Sequence, residues 1–415
     1  MLACVPSQHE PADITALRAR TACSGNAMAI LLLITSQMVP LTTWAQETSG
    51  AQESSGQLRQ CWTPDELRGT PEEKGIVQNV ARAYRRPPSG RPQAAPLPRE
   101  WRGAIRRVDL PLGVMKVALT FDLCEQPHEV AGYDGPIIDF LRKTKTRATF
   151  FAGGKWIVTH TKRAREVIAD PLFEVGNHTW EHRNLRSVRG ERLLNEINAA
   201  QIAYGQVYAE LVRQQCIAPE RGYKVQGLDV QPGVPQLFRF PFGACDVQSL
   251  RAVADAGLIA IQWDLSSGDP ARSLSASHMA DAVLRSVRPG SIVLFHANGR
   301  GWRTAQALGV ILSALRARGY ELVTVSDLLN TKGARPVISQ TCYDARPGDT
   351  NRYDNMARRL EAVYDAFDAK YGSRAPQNRQ KVDDPVLVSP AQPAMPRGDG
   401  VGQILGDDEL NPRGR

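Results

Sequence analysis

Hydrophobic residues in the central part of the chain form short continuous runs that alternate with longer amphipathic stretches. Seven runs predict strands, at residues 116–121, 148–152, 173–176, 237–240, 258–263, 291–295 and 320–325. Apolar positions at helical spacing predict helices between them, at residues 136–143, 162–169, 191–213, 247–256, 276–287 and 304–318. Strands that alternate with helices indicate parallel β/α units, so we expect an α/β fold of the distorted (β/α)7 barrel type.

The segments on either side of this pattern have a different texture. Arg18 and Arg20 precede a short apolar run, and Thr43 and Ala45 place small residues at the two positions that a signal peptidase reads. Residues 1–45 are therefore predicted to be a signal peptide or an N-terminal anchor. We therefore expect an exported protein, periplasmic or extracellular. Residues 46–113 are predicted to be a polar region with a Pro/Arg-rich linker, 114–330 the barrel, 331–371 a partly helical C-terminal extension and 372–415 a disordered tail.

Positive charge is concentrated in the linker. The chain has a net charge of +8, and eight arginines but one acid, Glu100, lie between Arg82 and Arg107. Two interpretations are open: a solvated linker, or a contact with an anionic cell-wall polymer or membrane surface. No RNA-binding motif or zinc-finger spacing accompanies the arginines, so we expect no nucleic-acid partner.

Five cysteines remain after residue 45, and none shows the CxxC spacing of a cysteine-rich zinc site. Export favours disulfides. We hypothesise two pairs, one between Cys124 and Cys245 and one between Cys61 and Cys342.

Ionisable residues follow four of the predicted strands, and one lies within a fifth. In β/α barrels, catalytic side chains lie at the C-terminal ends of strands, so these residues are expected to converge on one rim. They are Asp122, His178, His182, Arg239, Asp264, Asp269 and His296.

Each of these residues has a functional and a structural interpretation. His178 and His182 are four residues apart, and on a helical turn both imidazoles would face one metal ion, although this spacing alone is weak evidence. Asp122 is either a general base or the cap of the next helix. His296 is either a structural histidine or an acid kept protonated by Asp269. Arg239 either forms a scaffold ion pair or keeps a catalytic carboxylate ionised.

Five motifs in this order resemble the polysaccharide deacetylase family with the NodB-homology domain, carbohydrate esterase family 4. The motifs are Thr120-Phe121-Asp122, His178-Thr179-Trp180-Glu181-His182, Arg239-Phe240-Pro241-Phe242, the segment from Asp264 to Pro270, and Leu294-Phe295-His296. The resemblance covers about residues 114–330. It implies a distorted β/α barrel that removes N-acetyl groups from amino sugars of a polysaccharide such as peptidoglycan, a chitin-like polymer or an exopolysaccharide.

The resemblance also implies the role of each site residue. His178 and His182 would bind a divalent metal ion, with Zn²⁺ as the first choice. Asp122 would be the base, and Arg239 would pair with it. His296, partnered by Asp269, would protonate the leaving amine, and the backbone N–H of Phe242 would stabilise the oxyanion.

The first and fourth motifs diverge from the family pattern. Leu123 occupies the position of a metal-binding aspartate, so Cys124, Glu125, Asp134 or water would have to complete the ligand set. Pro270 stands where the family has tryptophan, which implies a differently shaped sugar site.

Two other functions stay open. A glycan-binding barrel that has lost its catalytic activity is favoured by Leu123. A metalloprotease is the other alternative, because residues 178–182 also fit the pattern H-x-x-E-H with Glu181 as base, but that pattern requires a helix.

Overall fold

The fold is built from fourteen strands and ten α-helices in the part of the chain that the computed structural model describes, residues 58–372 without 59, 93, 219–222, 231–232 and 344–348. The predicted signal segment and residues 373–415 of the predicted tail lie outside the described residues. The strands are β1 (Val77–Gln78), β2 (Ala104–Asp109), β3 (Lys116–Leu123), β4 (Glu129–Val130), β5 (Ala148–Ala152), β6 (Phe173–Asn177), β7 (Tyr223–Val225), β8 (Leu228–Val230), β9 (Leu237–Phe238), β10 (Ile259–Ile261), β11 (Leu265–Ser266), β12 (Ile292–His296), β13 (Glu321–Val323) and β14 (Arg335–Ser339).

The helices cover the outside of the sheet or extend the chain at its ends. They are α1 (Pro64–Leu67), α2 (Gly135–Lys143), α3 (Gly154–Thr159), α4 (Thr161–Ala169), α5 (Gly190–Arg213), α6 (Val247–Asp255), α7 (Ala276–Ser286), α8 (Thr304–Ala317), α9 (Val325–Leu329) and α10 (Asp349–Tyr371). Among the described residues, none of these helices is both long enough and apolar enough to cross a membrane.

The predicted seven parallel strands and the fold class are confirmed. The sheet has the order β11-β12-β3-β5-β6-β9-β10-β2-β14, and β13 pairs with the first half of β3. Only three residues separate β10 from β11, which pairs with β12, so the sheet curls back on itself into a distorted barrel.

Side chains of β3 alternate between the two faces of the curled sheet. Phe121 and Leu123 belong to the core formed with the surrounding helices, whereas Ala118 packs with Phe151 and other residues inside the barrel. Since successive side chains of a strand point to opposite faces, Asp122 points into the barrel and Leu123 points away from it.

The sheet extends beyond the predicted barrel boundaries of 114 and 330. β2 pairs in parallel with β10 and antiparallel with β14, so it carries the N-terminal region and the C-terminal extension onto the same sheet. Arg106 and Arg107 interrupt the apolar pattern of β2, which is why the sequence did not indicate a strand there. Between α5 and β9, the chain forms a small antiparallel hairpin, β7 and β8.

The Pro/Arg-rich linker lies against the barrel. The backbone N–H of Leu97 donates to the carbonyl of Ala254 over 2.8 Å. Arg102 forms an ion pair with Asp255 at 2.9 Å, and Arg91 contacts Glu191 at 2.8 Å. Part of the linker's positive charge is therefore paired with acidic residues of the barrel.

Two disulfides differ from the hypothesised pairs, which were wrong. Cys61 pairs with Cys216 and Cys245 pairs with Cys342, while Cys124 is a buried free thiol. The pairs join residues 155 and 97 positions apart, so their proximity depends on the tertiary fold.

Arg183 connects the C-terminal helix to the barrel. Its side chain is 1% exposed and contacts Glu181 and, on α10, Glu361, both at 2.7 Å. It also forms an ion pair with Asp368 and lies 5.3 Å from the ring centre of Tyr364. Because a buried guanidinium requires compensating charge, Arg183, which directly follows His182, joins α10 to the barrel through buried ion pairs.

We expect Arg183→Met to release α10 from the barrel. The substitution leaves the acidic partners unpaired, and we expect it to lower the free energy of unfolding by about 3 kcal/mol. Limited proteolysis should then cut within α10. Arg192→Met is a matched control, because Arg192 pairs with Asp365 of the same helix but is exposed, and its loss should cost about 0.5 kcal/mol or less. Equal protease resistance of Arg183→Met and wild type would contradict this role.

Candidate active site

A buried ion pair lies inside the barrel at the end of β3. The Nη1 atom of Arg239 donates to Oδ1 of Asp122 over 2.8 Å, and the arginine side chain is fully buried. The guanidinium also lies 4.0 Å from the ring centre of Phe151 and 5.5 Å from that of Trp263. Burial raises the pKa of Asp122, but the charge and hydrogen bond of Arg239 and the neighbouring His178 and His296 together lower it by more, so the net pKa is below its usual value and the carboxylate is ionised.

The backbone of Arg239 positions the end of β6 and the ring of His178. Its N–H donates to the carbonyl of Asn177 over 2.8 Å, which joins β6 to the segment after β9. Its carbonyl lies 2.9 Å from Nδ1 of His178, which therefore carries the proton. The other ring nitrogen, Nε2, lies 3.4 Å from Oδ2 of Asp122 and makes no hydrogen bond.

The two histidines lie on a tight turn after β6, so the expected helical turn was wrong. Thr179 has φ of +65° and His182 φ of +59°, values that side-chain-bearing residues rarely adopt. The Oδ1 of Asn177 accepts from the N–H of Thr179, and the Thr179 hydroxyl accepts from the N–H of His182 at 3.1 Å. These bonds hold a strained backbone in which the histidine ring centres are 4.9 Å apart.

The same turn excludes the metalloprotease alternative. The H-x-x-E-H pattern requires its residues on one helix, and no helix is present between Asn177 and Gly190. Glu181 contacts Arg183, on the side of the turn that faces α10.

A third ligand-type side chain lies beside the histidines. Cys124, His178 and His182 each offer one ligand atom, and these atoms all lie within 4.8 Å of one another. Buried ring nitrogens of both histidines, Nε2 of His178 and Nδ1 of His182, have no hydrogen-bond partner. Burial also lowers the pKa of each imidazole, so both are neutral, the form that binds metals. Buried, neutral and unpaired nitrogens next to a thiol fit a divalent metal ion.

The structure brings neither Glu125 nor Asp134, the two other predicted candidates for the missing ligand, to this cluster. Both Glu125 oxygens accept hydrogen bonds, from the N–H of Ala131 and the hydroxyl of Thr159. Asp134 forms an ion pair with Lys74 at 2.8 Å and accepts from the N–H of Gly299. Of the described His, Cys, Asp and Glu side chains, only Cys124 joins the two histidines in such a group.

His296 ends β12 and carries a carboxylate partner. Its Nδ1 lies 2.9 Å from Oδ1 of Asp269, whose other oxygen accepts from the His296 backbone N–H and from the hydroxyl of Thr304. Burial lowers the pKa of His296, but the charge and hydrogen bond of Asp269 and the charge of Asp122 together raise it by more, so the net pKa is raised. The side chain is placed opposite Asp122, with which it shares a register position in the sheet.

Phe242 lies at the mouth of the barrel beside the histidines. Its φ is +59°, and its ring centre is 4.5 Å from that of His182. A mostly apolar cavity of about 430 Å³ continues from Phe242 towards α10, where it is lined by Leu360 and Tyr364.

Asp264 does not lie at the rim as expected. Its carboxylate accepts from the N–H of Ile292 at 2.9 Å and from the hydroxyl of Ser291 at 3.0 Å. These residues begin β12, at the end opposite His296, so Asp264 joins β10–β11 to that strand instead of contributing to the site.

The fold is a parallel β/α barrel, and an ion pair, imidazoles and a thiol lie at the carboxyl ends of its strands. Barrel enzymes have their catalytic residues at this position. The family model for polysaccharide deacetylases matches residues 111–231. A chitooligosaccharide deacetylase of Bradyrhizobium sp. (strain ANU 289) is 28% identical over 223 residues, which are 51% of this chain and 89% of the relative.

Two further similarities cover part of this chain. A peptidoglycan-N-acetylglucosamine deacetylase of Listeria monocytogenes is 26% identical over 52% of this chain, which spans only 39% of that longer protein. The crystal structure of a carbohydrate esterase family 4 pseudoenzyme from Bacillus anthracis has a TM-score of 0.43 and 21% identity, covering 55% of this chain and 69% of the other. The match over residues 111–231 and these named relatives make the chain similar to polysaccharide deacetylases.

We expect Zn²⁺ to stabilise metal-free protein through the two histidines. A ligand present at 100 times its Kd adds about 2.7 kcal/mol to the free energy of unfolding, which thermal unfolding detects as a higher Tm. His182→Ala should lose most of this increase, whereas His278→Ala, an exposed histidine on α7, should keep it. A Tm increase of the same size in wild type and His182→Ala would show that zinc binds elsewhere.

Proposed function

We propose that this protein is a metal-dependent hydrolase that removes N-acetyl groups from amino sugars of a polysaccharide. One observation carries the proposal: the ionised Asp122, held by Arg239, lies against the buried ring of His178, and one nitrogen of that ring lies within 4.8 Å of ligand atoms of Cys124 and His182. A base and a metal-type ligand set are thereby adjacent, as metal-assisted hydrolysis requires.

Zinc is the metal we propose, because sulfur and imidazole donors suit it. Bound at these side chains, Zn²⁺ would supply a Lewis acid that polarises the acetamide carbonyl. The chain's own residues supply the remaining chemistry.

Asp122 is proposed to accept the proton of the attacking water. Arg239 keeps its carboxylate ionised and correctly oriented, which a base requires. The backbone N–H of Phe242 is proposed to stabilise the oxyanion. Phe242 has a left-handed backbone conformation and lies at the mouth of the barrel next to His182.

His296 is proposed to donate the proton that the leaving amine takes up. Its raised pKa favours the protonated imidazolium, in which Nδ1 donates to Asp269 and Nε2 carries the proton that is transferred. The amide C–N bond then breaks, and acetate and the free amino sugar leave.

An N-acetylated glycan is the proposed substrate. The relatives named above act on chitooligosaccharide and on peptidoglycan, according to their names. We propose that the apolar cavity of about 430 Å³ beside Phe242 accepts the apolar face of a sugar ring next to the reacting one.

Export is part of the proposal. Two disulfides in the described residues are typical of proteins from oxidising compartments. N-terminal sequencing of the protein from separated cell fractions tests this, and a full-length cytoplasmic form as the only product would contradict it.

We expect zinc-loaded full-length protein to release acetate from N-acetylglucosamine oligomers or peptidoglycan, with one new amine for each acetate. Asp122→Asn and His296→Ala should each lower kcat/KM by about 10²–10⁴-fold, because each removes a proton-transfer group. His278→Ala should retain full activity.

The alternative is a glycan-binding barrel without catalytic activity, and Leu123 at the position of a metal-binding aspartate supports it. Metal-loaded protein would then bind chitin oligomers or peptidoglycan but release no acetate from either.

We expect Asp269→Asn to move the alkaline limb of the pH–rate profile to lower pH. The carboxylate raises the pKa of His296, so a protonated donor is present up to that pKa and is lost above it. Without the carboxylate, the proton is lost at lower pH, and kcat falls at neutral pH. The pH dependence of kcat/KM measures this. An unchanged alkaline limb with normal folding would mean that His296 is not the group that titrates.

A further inference from the structure

We infer that Cys124 is the third protein ligand of the metal ion and that its thiolate takes the place of the aspartate missing at Leu123. This inference rests on the proposed metal-dependent function. It makes the centre a Cys/His/His site, with sulfur where a carboxylate would be expected.

Strand geometry places Cys124 on the correct side of the sheet. Asp122 points into the barrel, and Leu123 is fully buried in the core outside it. A side chain two residues after Asp122 returns to the interior face. The sulfur consequently reaches the histidine nitrogens, whereas residue 123 does not point towards them.

A buried lysine shapes the loop that carries the cysteine. The Nζ atom of Lys155 donates to the carbonyls of Gln126, Pro127 and Glu129, at 2.5–2.9 Å, and lies 3.6 Å from Glu125. The loop after Cys124 is thus wrapped around a buried ammonium group, and Glu125 is directed to it. This contact explains why the next acidic residue is not available as a ligand.

Asn298 provides the hydrogen bond that a bound thiolate needs. Its side-chain nitrogen donates to the sulfur of Cys124 over 3.0 Å and to the carbonyl of the same residue over 2.8 Å. Asn298 itself is fully buried, two residues after His296. Donors of this kind orient a metal ligand and stabilise its charge.

The remaining cysteines do not compete for this role. Cys61, Cys216, Cys245 and Cys342 are all in disulfides, so Cys124 is the one free thiol among the described residues. Three protein ligands leave a fourth position open, as catalytic zinc sites require. A thiolate also favours zinc over harder ions such as Mg²⁺ or Mn²⁺.

Cobalt substitution of the full-length protein tests the inference, because a bond between sulfur and Co²⁺ produces a near-ultraviolet charge-transfer band. We expect the band in wild type and in His278→Ala. We expect its loss in Cys124→Ser and in Cys124→Asp, while Cys124→Asp still binds cobalt through oxygen. Zinc affinity should fall by about 10–100-fold in Asn298→Ala, the usual cost of losing a ligand's hydrogen-bond partner, and by more in Cys124→Ser.

Thiol alkylation gives an independent readout that depends neither on activity nor on a variant that folds. In metal-free wild type, mild denaturant should expose Cys124 to alkylation, and mass mapping locates the modified peptide. Added zinc should lower the alkylation rate of Cys124 by at least the factor that corresponds to the gain in the free energy of unfolding. No charge-transfer band in cobalt-loaded wild type, together with alkylation unaffected by zinc, would overturn the inference.

These results are distinguishable from a failure of the proposed function. A charge-transfer band without acetate release supports the cysteine ligand and contradicts the deacetylase. Acetate release without a band, and with alkylation unaffected by zinc, supports the deacetylase and rejects the cysteine ligand.

Discussion

The site depends on one buried charge, the guanidinium of Arg239. A fully buried cation is stable only when its charge and its donors are satisfied, and here Asp122 provides the charge while Phe151 and Trp263 provide ring faces. The backbone of the same residue joins β6 to β9 and positions the ring of His178. Removing Arg239 would therefore disturb the base, one metal ligand and the seam between two strands together.

The barrel could be predicted from the sequence because its parallel strands are buried on both faces and therefore read as continuous apolar runs. Strand β2 was missed because Arg106 and Arg107 interrupt its apolar pattern. The positions of Asp122 and His296 followed from their places at strand ends. These predictions needed only local pattern and the rule that parallel strands end at one rim.

Other features of the site depend on tertiary contacts. The spacing of four residues between His178 and His182 does not distinguish a helix from the turn that the structure shows. That turn depends on the side chain of Asn177 and on residues with left-handed backbone. Strand alternation after Asp122 predicts Cys124 instead of Glu125 as the third metal ligand. The contact of Glu125 with Lys155 could not be predicted from the sequence. The disulfides likewise join segments that only the fold brings together.

The most direct test of this account is anomalous diffraction at the zinc edge, from crystals of the full-length, zinc-loaded protein. The account predicts one strong peak inside the barrel, bonded to nitrogens of His178 and His182 at about 2.0–2.1 Å and to the sulfur of Cys124 at about 2.3 Å. Asp122 should lie next to the open fourth position. A zinc peak away from both histidines, or no peak in the barrel, would contradict the account.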